Sequence, residues 1–294
     1  MVNHYPTLEE FLVAPIEDIR KIAPETLILT NDGTRRRAAL EGIDPASDEY
    51  AQWSRLQMID SLAMLFYHGI RHIFTIVVGE TNYAESTPRY REKLSKWVEW
   101  GLTGEDALRD YAARNWRVRL IGTDSWPELQ STSRRLEAET AQNDGPRVWF
   151  FAASHAETNW EYIFRTLKGS DITTRQEAIR AMYGEDVPLA TMFLGTGKPE
   201  IFPSIVPPLL VGKLQCYWRM HLGYMVDEQL LRSILYDYAY TRNTWQQDKT
   251  GRAEKVLEFK AVWQDPDVIG LGFRLGPFWY PTTRSELLNS EKPE

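Results

Sequence analysis

The chain has 294 residues, 43% hydrophobic and 26% charged, with 34 lysine and arginine residues against 41 aspartate and glutamate. Those proportions exclude a disordered, collagen-like or low-complexity chain. A net charge of −7 argues against a nucleic-acid binder, which needs a broad basic face to neutralise phosphates; a local basic pocket for a small anion remains open.

A single cysteine, Cys216, permits no intramolecular disulfide and points to a reducing, cytoplasmic setting. The opening segment MVNHYPTLEEFLVAPIEDIRK is too acidic and interrupted for a signal peptide. No window approaches the run of about 18 apolar residues that spans a membrane. Aromatic residues make up 12% of the chain, a surplus that suits a large core and equally a pocket for an apolar or cationic ligand.

Apolar runs alternate with helical patterns along the chain. Residues 26–32 read as a buried strand, and 47–69 as a long helix with Leu56, Ile59, Ala63 and Phe66 on one stripe, ended by Gly69. Residues 72–80 follow as a strand, and 84–114 carry two helical segments broken near Gly101–Gly104. Strands at 116–123, 147–154, 189–196 and 214–220 are interleaved with helices at 126–142, 157–168, 173–183 and 227–244. The alternation predicts an α/β fold with a mostly parallel sheet flanked by helices, whose ligand crevice lies beyond the carboxyl ends of the strands. The loops at 32–50, 79–90, 154–160 and 195–213 are then expected to meet around one site. Residues 1–244 read as the catalytic unit. Residues 245–294, with the strand candidate IGLGFRL, read as an extension that closes over the pocket or makes a dimer contact.

The densest basic run is Asn31-Asp32-Gly33-Thr34-Arg35-Arg36-Arg37, placed where the first strand hands over to a helical region. Backbone amides there can hold phosphate, Gly33 permits close approach, and Arg35 and Arg36 can fork onto a diphosphate. Asp32 beside bound phosphate requires a metal ion, a proton or a special role. The competing reading is a turn followed by a solvated basic patch.

Strand, Asp-Gly-Thr-Arg-Arg and long helix together resemble the opening signature of the cis-prenyltransferases, such as undecaprenyl diphosphate synthase. Phe151-Ala152-Ala153, Asn159 to Ile163, Leu189 to Gly197 and Met225 to Glu228 fall where that family has its later motifs, so the resemblance covers roughly residues 24–245. One departure decides the function implied. Chain-elongating members hold isopentenyl diphosphate with an arginine where this chain has Gly195, and Lys198 offers a charge but no forked clamp.

The chain is most similar to the branch containing the tuberculosinol/isotuberculosinol synthases and kolavelool synthase. The matching features are residues 32–36, Asp48-Glu49-Tyr50, Leu65 to Ile70, Arg89-Tyr90, Tyr183-Gly184-Glu185 and Leu231 to Asp237. The resemblance implies removal of diphosphate from a bicyclic diterpenyl diphosphate and quenching of the allylic cation by water. It implies Asp32, Tyr50 and Tyr90 as catalytic residues, and Gly33, Thr34, Arg35, Arg36 and Arg89 or Arg91 as the diphosphate site. Asp32 would act as a Mg²⁺ partner or as the group that orients or deprotonates water. A homodimer is implied, as is an upstream class II cyclase that supplies the ringed substrate.

Two histidines have simpler expectations: a cationic His68 capping a helix end, and His155 facing the crevice or serving structure. Asp265-Pro266-Asp267 reads as a turn. The chain carries no DDXXD, DXDD, Walker A, GXGXXG, zinc spacing or GXSXG elbow. Two other readings stay open: condensation of two prenyl diphosphates, and a non-catalytic partner subunit.

Overall fold

A computed structural model describes residues 6–85, 87–197, 201–219, 222–224, 227–241, 273–275 and 278–280. Lys198, Asp265-Pro266-Asp267 and most of the extension at 245–294 lie outside the described residues. Of the strand candidate IGLGFRL, Phe273–Leu275 pairs antiparallel with Phe278–Tyr280.

The strands are β1 (Thr26–Asn31), β2 (His72–Val78), β3 (Arg117–Ile121), β4 (Arg147–Ala152), β5 (Ala190–Thr196) and β6 (Val211–Arg219). They form one sheet in the order β3-β4-β2-β1-β5-β6, parallel at every pairing. Parallel neighbours need long crossovers; apart from the β5–β6 link, which carries only a 3₁₀ turn among its described residues, these run through helices, and helices cover both faces of the sheet. These are α1 (Leu8–Leu12), α2 (Ile16–Ile22), α3 (Thr34–Leu40), α4 (Asp48–Tyr67), α5 (Glu80–Glu85), α6 (Pro88–Thr103), α7 (Glu105–Ala113), α8 (Gln130–Thr140), α9 (Thr158–Leu167), α10 (Arg175–Tyr183) and α11 (Glu228–Tyr236). The pleat divides the core. Leu27 and Leu29 of β1 pack with Met58, Leu62 and Leu65 of α4 and Leu231 of α11. Ile28 points the other way, joining Phe74, Trp149 and Phe193 against Ile163 of α9 and Ile179 of α10.

Several boundaries differ from the periodicity reading. Residues 32–50 are not all loop, because α3 starts directly after Gly33; its Thr-Arg-Arg-Arg opening has no apolar stripe to reveal it. In α4 the buried positions are Met58, Ile59, Ser61, Leu62 and Leu65, whereas Leu56 is 50% exposed. Residues 84–114 hold α6 and α7, divided at Gly104, with α5 ahead of them. Two short 3₁₀ turns precede α8, and α11 stops at Tyr236 before a π turn over Asp237–Thr241.

His68 does close α4, but as a neutral ring. Its Nδ1 lies 2.8 Å from the Met64 carbonyl, and burial lowers its pKa, disfavouring the imidazolium expected there.

Candidate active site

At the end of β1 the chain turns through Asp32 and Gly33 into α3. Gly33 takes φ +80°, and a β-carbon on it would stand 2.6 Å from Leu222 Cδ2, so the turn requires glycine on both counts. The Asp32 backbone carbonyl accepts a hydrogen bond from the Gly223 amide at 2.8 Å. Its carboxylate Oδ2 accepts one from Arg36 Nη2 at 2.8 Å, one turn along α3. Both side chains are substantially exposed, 50% and 42%, so a diphosphate can reach the pair.

These residues line a cleft of about 740 Å³ at the carboxyl ends of β1, β2 and β5. Asp32, Gly33, Thr34, Arg35, Arg36, Tyr50 and Tyr90 all face it. Two contacts join the basic turn to the aromatic residues. Thr34 Oγ1 and Tyr50 Oη share a hydrogen bond of 2.9 Å, and Arg35 Nη1 donates to Tyr90 Oη at 3.4 Å. Tyr50 itself stacks on Trp53 and meets the edge of Trp97, with centroids 6.3 and 5.9 Å away. Burial pushes the Tyr50 hydroxyl up, and burial does the same for Tyr224. Both phenols are therefore protonated at neutral pH, able to position water or stabilise charge but not to serve as bases.

Arg89 and Arg91 fall elsewhere. Arg89 is exposed and does not line the cleft, while Arg91 lies over the Tyr83 ring with Cζ 4.0 Å from its centroid. Of the four expected loops, 154–160 contributes no lining residue. It buttresses the wall instead: buried Asn159 Nδ2 donates to the carbonyls of Pro203, Ser204 and Val206 at 3.2, 3.0 and 3.2 Å, behind the lining residues Phe202, Ser204 and Ile205. His155 is exposed and bonded to Ser154 Oγ at 2.8 Å and Glu161 Oε1 at 3.0 Å, which assigns it to the surface.

Asn31, Glu80, Phe202 and Ile205 lie within the basic run or the expected loops but were given no role, whereas Ile76, Val77, Leu94, Trp97 and Tyr224 line the cleft from outside them. A signal existed for some. Asn31 and Glu80 stand where β1 and β2 run out, and Leu94 is one helical turn beyond Tyr90.

Gly195 is tightly enclosed: a β-carbon there would lie 2.8 Å from Trp218 Cδ1 and 3.0 Å from Phe193 Cε1. The indole of the neighbouring strand fills the space into which an arginine stem would leave β5. Among the described residues no group of three or more His, Cys, Asp or Glu side chains forms a metal site. Asp32 and Glu80 are the carboxylates that line the cleft.

No family model matches the chain. Over 280 residues it is 43% identical to (+)-kolavelool synthase of Herpetosiphon aurantiacus, covering 95% of this chain and 97% of that protein. It is 30% identical over 256 residues to tuberculosinyl adenosine transferase of Mycobacterium tuberculosis, covering 83% and 84% of the two chains. Among solved structures, lavandulyl diphosphate synthase from Lavandula x intermedia, in complex with dimethylallyl diphosphate, superposes with a TM-score of 0.57 at 15% identity. That match covers 75% of this chain and 97% of that one. With its parallel six-stranded sheet in the cis-prenyltransferase-like arrangement, the chain belongs to the family of (+)-kolavelool synthase.

Proposed function

We propose that this protein is a diterpene synthase. It removes diphosphate from a bicyclic diterpenyl diphosphate, such as kolavenyl diphosphate, and quenches the allylic cation with water to release a diterpene alcohol. The observation that carries this reading is the make-up of the cleft, in a chain 43% identical to (+)-kolavelool synthase. The β1 turn and α3 contribute Asp32, Arg35 and Arg36, while α4 and α6 contribute Tyr50, Tyr90, Leu94 and Trp97.

Arg35 and Arg36 present forked donors to the diphosphate and stabilise the charge it carries away. A diphosphate on Arg36 competes with Asp32 for the same guanidinium, which frees the Asp32 carboxylate. The aromatic faces of Tyr50, Tyr90 and Trp97 stabilise the cation left behind, and the apolar residues keep bulk water from it. The donor set fits Mg²⁺ shared with the substrate, since Mg²⁺ takes one or two carboxylates plus phosphate oxygens. Asp32 would hold it, and when bound it would neutralise leaving-group charge.

Condensation is disfavoured by the Trp218 indole over Gly195, and a scaffold role by the intact Asp32–Arg36 pair. The same reading has the protein as a cytoplasmic homodimer, supported by its single cysteine and by the resemblance. No described helix is long and apolar enough to cross a membrane. A ringed substrate must come from a protonation-initiated cyclase, because the chain lacks a DXDD motif.

The test is product analysis with geranylgeranyl, kolavenyl and halimadienyl diphosphates, with and without isopentenyl diphosphate or adenosine, alongside Asp32→Asn. The expected result is a diterpene alcohol from a bicyclic substrate, indifferent to both additions and reduced at least about 100-fold in the variant. An elongated diphosphate or an adenosine adduct would replace this reading with a transferase.

A further inference from the structure

Buried polar atoms are almost always hydrogen-bonded, and each exception in a native fold calls for a reason. Among the described residues, buried side-chain atoms without a protein partner occur at Ser61, Tyr111 and Thr132, for example, none of which lines the cleft. Of the described residues, only Asn31 and Glu80 combine such atoms with a place in its lining. Asn31 is the extreme case, because its Oδ1 and Nδ2 are both unpartnered, and Glu80 adds Oε2. An amide with both ends unmet suits a ligand that donates and accepts at once. Water does both.

The surrounding geometry points the same way. Beneath the cleft lies a cavity of about 10 Å³, and Asn31, Ile76, Val77 and Tyr224 line both spaces. That volume is roughly one water molecule by the usual threshold. Asn31 is the last residue of β1 and Glu80 the first of α5, directly after the adjacent strand β2.

We propose that Asn31 and the cavity beneath it hold the water that quenches the cation, and that Glu80 receives its proton. The proposal rests on the diterpene alcohol reading above. The substrate C–O bond breaks with its electron pair leaving on diphosphate. A lone pair of the held water then forms the new C–O bond at the allylic carbon. The proton shed by the oxonium passes to the Glu80 carboxylate and from there to solvent; nothing is oxidised or reduced. Ile76 and Val77 shield the cation near this point, so one ordered water delivers oxygen to one face. Without that water, the cation ends by losing a proton to give a hydrocarbon.

The experiment measures the ratio of diterpene alcohol to hydrocarbon made from kolavenyl diphosphate by the wild type, Asn31→Leu, Asn31→Ser and Glu80→Gln, with a thermal melt of each. In Asn31→Leu the ratio should fall at least about tenfold, whatever the total turnover. Asn31→Ser, which keeps a polar group and makes room for water, should restore most of the alcohol. Glu80→Gln should lower the ratio as well. If Asn31→Leu fails to fold, Glu80→Gln and Asn31→Ser decide. An unchanged ratio in folded Asn31→Leu and in Glu80→Gln overturns the proposal. So does a Glu80→Gln enzyme that needs more Mg²⁺ but keeps its product ratio. A wild type that makes no alcohol from any diterpenyl diphosphate fails earlier, and removes the parent reading as well.

Discussion

Gly197 presses so closely on Asp32 that a β-carbon on it would stand 2.8 Å from the carboxylate Oδ2 and 2.9 Å from Cβ. The exits of β5 and β1 meet here, with the Gly197 amide donating to the Arg219 carbonyl at 2.9 Å. Gly197 also holds φ +82°. Gly197→Ala is therefore expected to cost about 1–2 kcal/mol in backbone strain and to displace the Asp32 carboxylate. Turnover should drop at least about tenfold, more than the melting temperature alone would suggest. A variant with wild-type turnover would show that this contact only packs the turn.

Thr34 and Tyr50 act as one unit through their 2.9 Å hydrogen bond. Tyr50→Phe and Thr34→Val should each destabilise the fold by about 1 kcal/mol. The double variant should cost less than the two losses combined, because one bond is removed twice. Urea unfolding of the three variants measures the coupling. Additive losses would mean that the contact contributes nothing.

Restoring an arginine at position 195 should not create a condensing enzyme. The Trp218 indole and Phe193 already meet any side chain there at 2.8–3.0 Å. Gly195→Arg is expected to lose about 2 kcal/mol or more through overpacking and to show no elongation with isopentenyl diphosphate. Elongated product from a stably folded variant would contradict this.

Acid should destabilise the fold through buried histidines. His72 Nδ1 accepts a hydrogen bond from Trp149 Nε1 at 3.4 Å, which requires the neutral ring. Burial pushes its pKa from 6.5 down to about 4, with Glu185 opposing and Arg147 and Arg71 assisting. The folded value lies below the unfolded one, so the unfolded chain binds the proton first. The stabilisation is complete above about pH 6.5 and is lost as pH falls towards about 4, a change on the order of 3 kcal/mol. His68, also lowered by burial, adds in the same direction. Melting temperature measured between about pH 7 and about pH 5 should fall, and His72→Gln should flatten the slope.

The strands were legible because a parallel sheet buries both faces, leaving continuous apolar runs such as Thr26–Asn31 and Arg147–Ala152. The Asp32 turn was legible because glycine and clustered arginines have few other uses beyond a strand end. What escaped notice was set by tertiary context. Helix α3 shows no periodicity, and α4 is covered around much of its girth, which moved its buried stripe away from Leu56. Asn159 belongs to a predicted site loop, yet its three carbonyl partners turn it into a brace. Trp97 and Tyr224 reach the cleft from distant segments, a convergence that one-dimensional spacing does not encode.

The strand order also sets a timetable for assembly. β1 emerges early and can pair with β2, but its other edge stays open until β5 arrives, from residue 31 to residue 190. That central, apolar edge is exposed throughout most of synthesis, a hazard of high-contact-order parallel sheets. Because Gly197 lies just past β5, the Asp32 turn acquires its backing only when that strand docks. Recovery of catalysis on refolding should thus lag behind recovery of the β1–β2–β4 half of the sheet.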